Sequence, residues 1–379
     1  MKTFFTLLIV LLTLIPSASS QVKAGYSSKI LLIPLDNRPP CLQFTKRMAL
    51  IANAQIIAPP KELLGNFTIP GLPDKIISWT EDLDLKSFDA AIISQDMLAY
   101  GGAVASRINR ISASNALARI DFLRKIKKLY PKLPIYVQNS IMRIAPTGDG
   151  KNEAYKMELA QWGEISVLKD EKSKIKTREL ESKIPKDVLN DYKKTRERNL
   201  EINLQSVKLV KEGVIDYLVL SQDDAKPQGI QIADRNRLIT EVKKNGLEDK
   251  ISIQPGADEV SMLLLAHSLN IKFNYLPKIK VVYSSEAISK TVMPYEDIPL
   301  YETVAHHIKV LGGHEVDNEE SADILFYVFV SRFEPGKAKY FAEEIENKIK
   351  QGRKVIVADI DSRGNVQGGD IKFTKELEN

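Results

Sequence analysis

Residues 218–229 read LVLSQDDAKPQG: an apolar run, then two adjacent aspartates, then a proline and a glycine. The run is too short for an amphipathic helix and does not alternate. That suits a parallel strand covered on both faces. The polar residues behind it mark the place where such a strand leaves the core.

The same texture recurs outward in both directions. Strands are expected over Ile30–Leu35, Gln55–Ala58, Ala90–Ser94, Ile135–Gln138, Tyr217–Ser221, Ile251–Gln254, Lys278–Tyr283, Ile324–Val330 and Val355–Asp359. Between them run helical patterns such as NALARIDFLRKIKKLY and AKYFAEEIENKIKQGRK. Strand alternating with helix predicts an α/β protein with a parallel sheet. Polar segments follow nearly every early strand: PLDNRPP, SQDMLAYGG, QNSIMRIAP, SQDDAKPQG and QPGADE. A TIM-barrel-like parallel barrel would gather all these ends on one face, whereas an open doubly wound sheet would concentrate them at one switch point. The barrel is the favoured expectation. A charged segment at about 148–213 reads as a helical insertion, with Arg196, Asn199 and Asn203 repeating along one helix face that would look toward the site.

Composition sets wider limits. The 379 residues are 44% hydrophobic, enough for a large core, and the net charge of +5 is a small difference between 54 basic and 49 acidic residues. Nothing in that balance suggests a nucleic-acid partner. The N-terminus, MKTFFTLLIVLLTLIPSASSQ, has Lys2, an apolar run from Phe4 to Ile15, Pro16 and the small residues Ala18-Ser19-Ser20. It reads as a signal peptide over 1–20 and predicts a secreted or periplasmic protein with no membrane span after cleavage. The single Cys41 suits neither an internal disulfide nor a lipid attachment at that cleavage site.

A barrel-like catalytic domain is expected over 21–277 and a smaller Rossmann-like α/β domain over 278–379, the latter expected to be incomplete; the alternative is that the strands after Pro277 supply the last strands of the barrel. No G-x-G-x-x-G follows the first strand and no G-x-x-x-x-G-K-[ST] occurs, so no nucleotide cofactor is expected. The histidines His267, His306, His307 and His314 fall late in the chain without H-E-x-x-H and are expected to be structural.

In order, PLDNRPP, SQDMLAYGG, SQDDAKPQG, QPGADE and VADIDSRGNVQGGD resemble the motifs of the bacterial domain of unknown function 4127 family. The family usually has a second aspartate where this chain has Asn37. The resemblance implies a fold and a site more than a reaction.

The reaction is argued from carboxylates. Asp223 and Asp224 follow a strand end, where neighbouring side chains point apart. One is expected to act as general acid, Asp224, while Asp223 orients the substrate. This is similar to barrel glycosidases acting on 2-acetamido sugars, where the sugar's own carbonyl replaces an enzyme nucleophile. Asp36, Asn37, Arg38, Asp96, Tyr100, Asn139, Arg143, Asp258 and Glu259 are expected to line the carbohydrate pocket, with Tyr100-Gly101-Gly102 as a stacking wall. Against this, Asp-Asp before Pro and Gly is also good turn chemistry, and one aspartate suits a cap for a helix starting near Ile232. Two further classes stay open: a metal-dependent phosphate or sulfate ester hydrolase using Asp36, Asp96, Asp224 and Asp258, and a non-catalytic carbohydrate-binding protein.

Overall fold

The structure, a computed structural model, describes residues 25–147, 152–330, 335–360 and 376–377. The signal-peptide expectation, most of the late VADIDSRGNVQGGD motif and the start of the insertion lie outside the described residues.

The protein is α/β with two parallel sheets. The first contains β1 (Ser28–Ile33), β2 (Ala54–Ile57), β3 (Ala90–Ser94), β4 (Ile135–Ile141), β5 (Tyr217–Gln222) and β6 (Ile251–Pro255) in the order β2-β1-β3-β4-β5-β6. The second contains β7 (Lys278–Tyr283), β8 (His314–Glu315), β9 (Ile324–Phe329) and β10 (Val355–Asp359) in the order β10-β9-β7-β8. Each of the nine expected runs forms a strand. The two-residue β8 is exposed on both positions and carries no apolar run that would announce it.

The order of the first sheet departs from a sequential barrel order at its start. Leu32 of β1 pairs with Ile92 of β3, and β2 lies on the far side of β1. Among the described strands, β2 and β6 are the edges of that sheet.

Alternation along β4 shows which helices cover which face. Tyr136 meets His267 of the helix Val260–Lys272 edge-on, with ring centroids 5.1 Å apart. Asn139, of opposite parity, accepts a hydrogen bond from Asn203 of the helix Lys186–Lys211 at 2.7 Å. The sheet is therefore covered on both faces, which is why its strands are largely apolar on both parities. The helix Gln43–Ile51 lies beside Val260–Lys272, and the buried hydroxyls of Thr45 and Ser261 meet at 2.9 Å between them. The chain leaving β6 thus turns back across the strand ends to reach that face, held over β4 by Gln138, whose Nε2 donates to the carbonyl of Ala257.

The helix Lys186–Lys211 buries Val188, Tyr192, Thr195, Asn199, Ile202, Ser206 and Val210, a stripe of three- and four-residue steps. Arg196, Asn199 and Asn203 belong to its buried side. They hold backbone carbonyls and the interior network around β4 and line no part of the cavity described below. No helix among the described residues is long and apolar enough to cross a membrane.

Candidate active site

Above the strand ends lies a cavity of about 620 Å³. Arg38, from the loop after β1, Arg107, Arg143, from the segment after β4, and the pair Asp223-Asp224 after β5 all line it. Asp258 and Glu259 after β6, Glu296 from the loop before the helix Leu300–Val310, Asp359 at the end of β10 and Thr147 add to its polar wall.

Asp36, Asp223, Asp224 and Asp258 are each tied to an arginine, and all but the Asp36 tie join different strand ends. Arg38 donates from Nη1 and Nη2 to Asp258 Oδ2 and Oδ1 at 2.9 and 2.6 Å, and from Nε to Asp36 Oδ2 at 2.9 Å. Asp36 Oδ1 accepts from the backbone N–H of Arg38 at 3.0 Å, a turn that Asp favours and that aims the guanidinium back along the loop. Burial works against the charge on Arg38, but Asp36, Cys41 and Asp258 outweigh it and raise its proton affinity. Burial also pushes the Asp258 carboxyl up, with Asp36 and Asp223 adding to it and Arg38 opposing. Arg107 Nη2 donates to Asp223 Oδ2, and Arg143 Nη1 donates to Asp224 Oδ2. Burial lowers the Arg107 value, Asp223 counters it, and the guanidiniums of Arg143 and Arg38 lower it further. The adjacent aspartates thus serve as acceptors for two different arginines.

Glu259 and Glu296 form the other wall. Gly256 has φ +85°, and a Cβ there would fall 2.0 Å from Glu259 Oε1, so the absent side chain is what lets the carboxylate fold back over the turn. His307 Nε2 stands 3.4 Å from Glu259 Oε1. Glu296 accepts from Thr303 Oγ1 at 3.2 Å. Burial, reinforced by the Glu259 charge, raises the Glu296 carboxyl to about 7, with His307 and Thr303 opposing. A carboxylic acid is therefore protonated near neutral pH in a cavity that also contains arginine-bridged carboxylates.

Of the expected site residues, Asp223, Asp224, Arg38, Arg143, Asp258 and Glu259 come together on this cavity. Asp36 stands behind Arg38, and Asn37 is half-buried outside the lining. Asp96 and Asn139 lie beneath it in the interior, where Asp96 Oδ2 accepts from the Ser140 N–H at 2.8 Å and from Asn139 Nδ2 at 3.4 Å. Burial raises Asp96 to about 6, against those hydrogen bonds and helped by the charge of Asp223. Tyr100 is 3% exposed, with the Arg198 guanidinium 4.4 Å from its ring centroid, so it forms no wall of the cavity. Its glycines serve packing: a Cβ on Gly101 would meet the Gly71 carbonyl oxygen at 2.7 Å. Of the four aspartates of the metal alternative, Asp36 and Asp258 share Arg38, Asp224 accepts from Arg143, and Asp96 is buried beneath them with Ser140 and Asn139. Among the described residues no group of three or more His, Cys, Asp or Glu is placed to hold a metal ion.

His267 has the structural place expected of it, its Nδ1 2.7 Å from the Val310 carbonyl and its ring against Tyr217. Arg107, Thr147 and Glu296 were not legible as site residues. Glu296 sits in MPYED, an acid after a proline in a loop, a signal too common to single out.

A family model described as protein of unknown function (DUF4127) matches residues 30–379. No curated protein matches the chain. The chain belongs to that family.

Proposed function

We propose that this member of the DUF4127 family is a secreted glycoside hydrolase acting on amino-sugar-containing glycans. The observation that carries the reading is Glu296, an acid held protonated up to about pH 7 on the same cavity as Asp223 and Asp224. Proton donation to a glycosidic oxygen needs a carboxyl of raised pKa, and the two strand-end aspartates, already accepting from arginines, are better suited to orient substrate than to donate.

In this reading Glu296 gives its proton to the leaving glycosidic oxygen as the C1–O bond breaks. The carbonyl oxygen of the 2-acetamido group bonds to C1, with Asp223 and Asp224 orienting that group. Water then adds to C1, its proton returns to the Glu296 carboxylate, and the sugar carbonyl is restored. The role of acid thereby passes from Asp224 to Glu296. The balance of charge also favours this substrate class over phosphate and sulfate esters. Three arginines face six carboxyl groups in the lining, leaving it net acidic even with Glu296 neutral. We take the six-stranded sheet as an open doubly wound sheet, supported by the β1–β3 pairing, with the cavity beside its switch point. In the same reading it forms one domain and the β7–β10 sheet a second.

The test is chromophore release from aryl glycosides, 2-acetamido sugars included, with and without EDTA. Wild type should act on a 2-acetamido substrate in either condition, and Glu296→Gln should lose roughly 100-fold or more in kcat. Silence across the panel, or full activity in Glu296→Gln, defeats the proposal.

A further inference from the structure

Five non-glycine residues among the described ones have left-handed backbones: Asn53, Phe67, Asp224, Asn274 and Tyr295. Asparagine tolerates that region, and aspartate does so to a lesser degree, but Phe and Tyr gain nothing from it. Yet Phe67 and Tyr295, at φ +49° and +66°, are 68% and 55% exposed, and both line the cavity of Glu296. Large aromatic rings held in unfavourable backbone conformations at the rim of a polar cavity imply that the rings themselves are needed there.

The surrounding chain explains how each ring is held. Phe67 occupies the first central position of a two-residue turn, closed by Asn66 N–H to Ile69 O at 2.9 Å and Ile69 N–H to Asn66 O at 2.8 Å. That position ordinarily takes glycine or asparagine. The turn is anchored by the Gly71 N–H donating to Gly101 O at 2.8 Å. Tyr295 follows Pro294 in a turn closed by the Glu296 N–H on Met293 O at 3.1 Å, where the residue after proline is normally glycine. The same turn that aims Glu296 therefore presents Tyr295.

We propose that Phe67 and Tyr295 form an aromatic subsite that stacks on the C–H faces of a pyranose ring entering the cavity. This rests on the glycan reading above. A pyranose has apolar faces and a hydroxyl-bearing edge, matching aromatic rings at the rim and charged hydrogen-bonding groups below. A nucleotide also offers a flat ring, but its phosphates would meet a net acidic lining.

Phe67→Gly and Tyr295→Gly remove the rings and relieve the backbone at once, so affinity should fall while the thermal midpoint does not. Calorimetry of the mature protein with N-acetylglucosamine tetramer, maltotetraose and acyclic sorbitol reads the first; a thermal melt reads the second. At least one tetrasaccharide should bind wild type and sorbitol should not. Each glycine variant should bind about tenfold more weakly, and Phe67→Tyr and Tyr295→Phe should bind as wild type does. Phe67→Asn and Tyr295→Asn, which also tolerate the left-handed region, give the same reading if a glycine variant fails to fold. Wild-type affinity in the ring-less variants, or no binding of either tetrasaccharide to wild type, overturns the subsite. Binding without hydrolysis leaves it standing and defeats the hydrolase, whereas hydrolysis with an unchanged KM in the ring-less variants does the reverse.

Discussion

Arg38 grips both carboxylate oxygens of Asp258, 220 residues away in the chain, at 2.9 and 2.6 Å. Their strands are not neighbours: β3, β4 and β5 lie between β1 and β6. At about 4.8 Å per strand the two strand ends would stand roughly 19 Å apart. The contact exists because the chain leaving β6 returns across the sheet toward the helix Val260–Lys272, and the guanidinium meets it on the way.

That bridge should therefore hold the roof of the cavity. Arg38→Met leaves Asp36 and Asp258 facing each other without their cation, and should cost about 1–3 kcal/mol in urea unfolding. Adding Asp258→Asn should recover part of the loss. Equal stability of Arg38→Met and wild type would show the bridge to be a dispensable surface pair.

Gly101→Ala tests the packing reading of Tyr100-Gly101-Gly102. The backbone there has φ +94°, and a Cβ would press on the Gly71 carbonyl oxygen at 2.7 Å and nitrogen at 3.0 Å. A loss of about 1–3 kcal/mol is expected, with weaker glycan binding because the Phe67 turn hangs from the same contact. Unchanged unfolding in denaturant would contradict it.

The nine expected strands were legible because each has a short, largely apolar stretch, and the six cavity residues named from sequence were legible because each follows such a stretch closely. Partners were not: Asp223 says nothing of Arg107, 116 residues earlier, since an ion pair leaves no local pattern. Strand order was equally hidden. Whether β3 pairs with β1 or β2 depends on how helices cover the two faces, and the apolar runs alone are identical in both cases. The polar residues Gln138, Asn139 and Ser140 look like a strand's exit but lie within β4, buried, because Asn203 and Ser206 of the helix Lys186–Lys211 meet Asn139 and Ser140 on one face while Gln138 holds the Ala257 carbonyl on the other.

Asp96 makes a prediction about stability against pH. Its folded value of about 6 lies above the ordinary 3.8, so the unfolded chain releases this proton first. Its contribution is full below about pH 4 and is lost as pH rises toward 6. Asp96→Asn, which cannot ionise, should gain on wild type across that window and end on the order of 1–3 kcal/mol more stable at pH 8. Urea unfolding at pH 4, 6 and 8 would reveal it; a difference that stays constant would mean that Asp96 ionises as freely as in the unfolded chain.

Glu296 makes the corresponding prediction about rate. Acting as the acid, it must hold its proton, so kcat/KM should fall as pH rises through about 7, the value set by burial and Glu259. Glu259→Gln removes the neighbouring charge, so the descending limb should move to lower pH while activity below it persists. Loss of the acid itself in Glu296→Gln should abolish that limb along with most of the rate. The same raised value makes wild type lose stability from about pH 4.5 to 7, a loss that Glu296→Gln should not show. If Glu259→Gln leaves the limb where it was, the ionisation controlling the rate belongs to another group and Glu296 is not the acid.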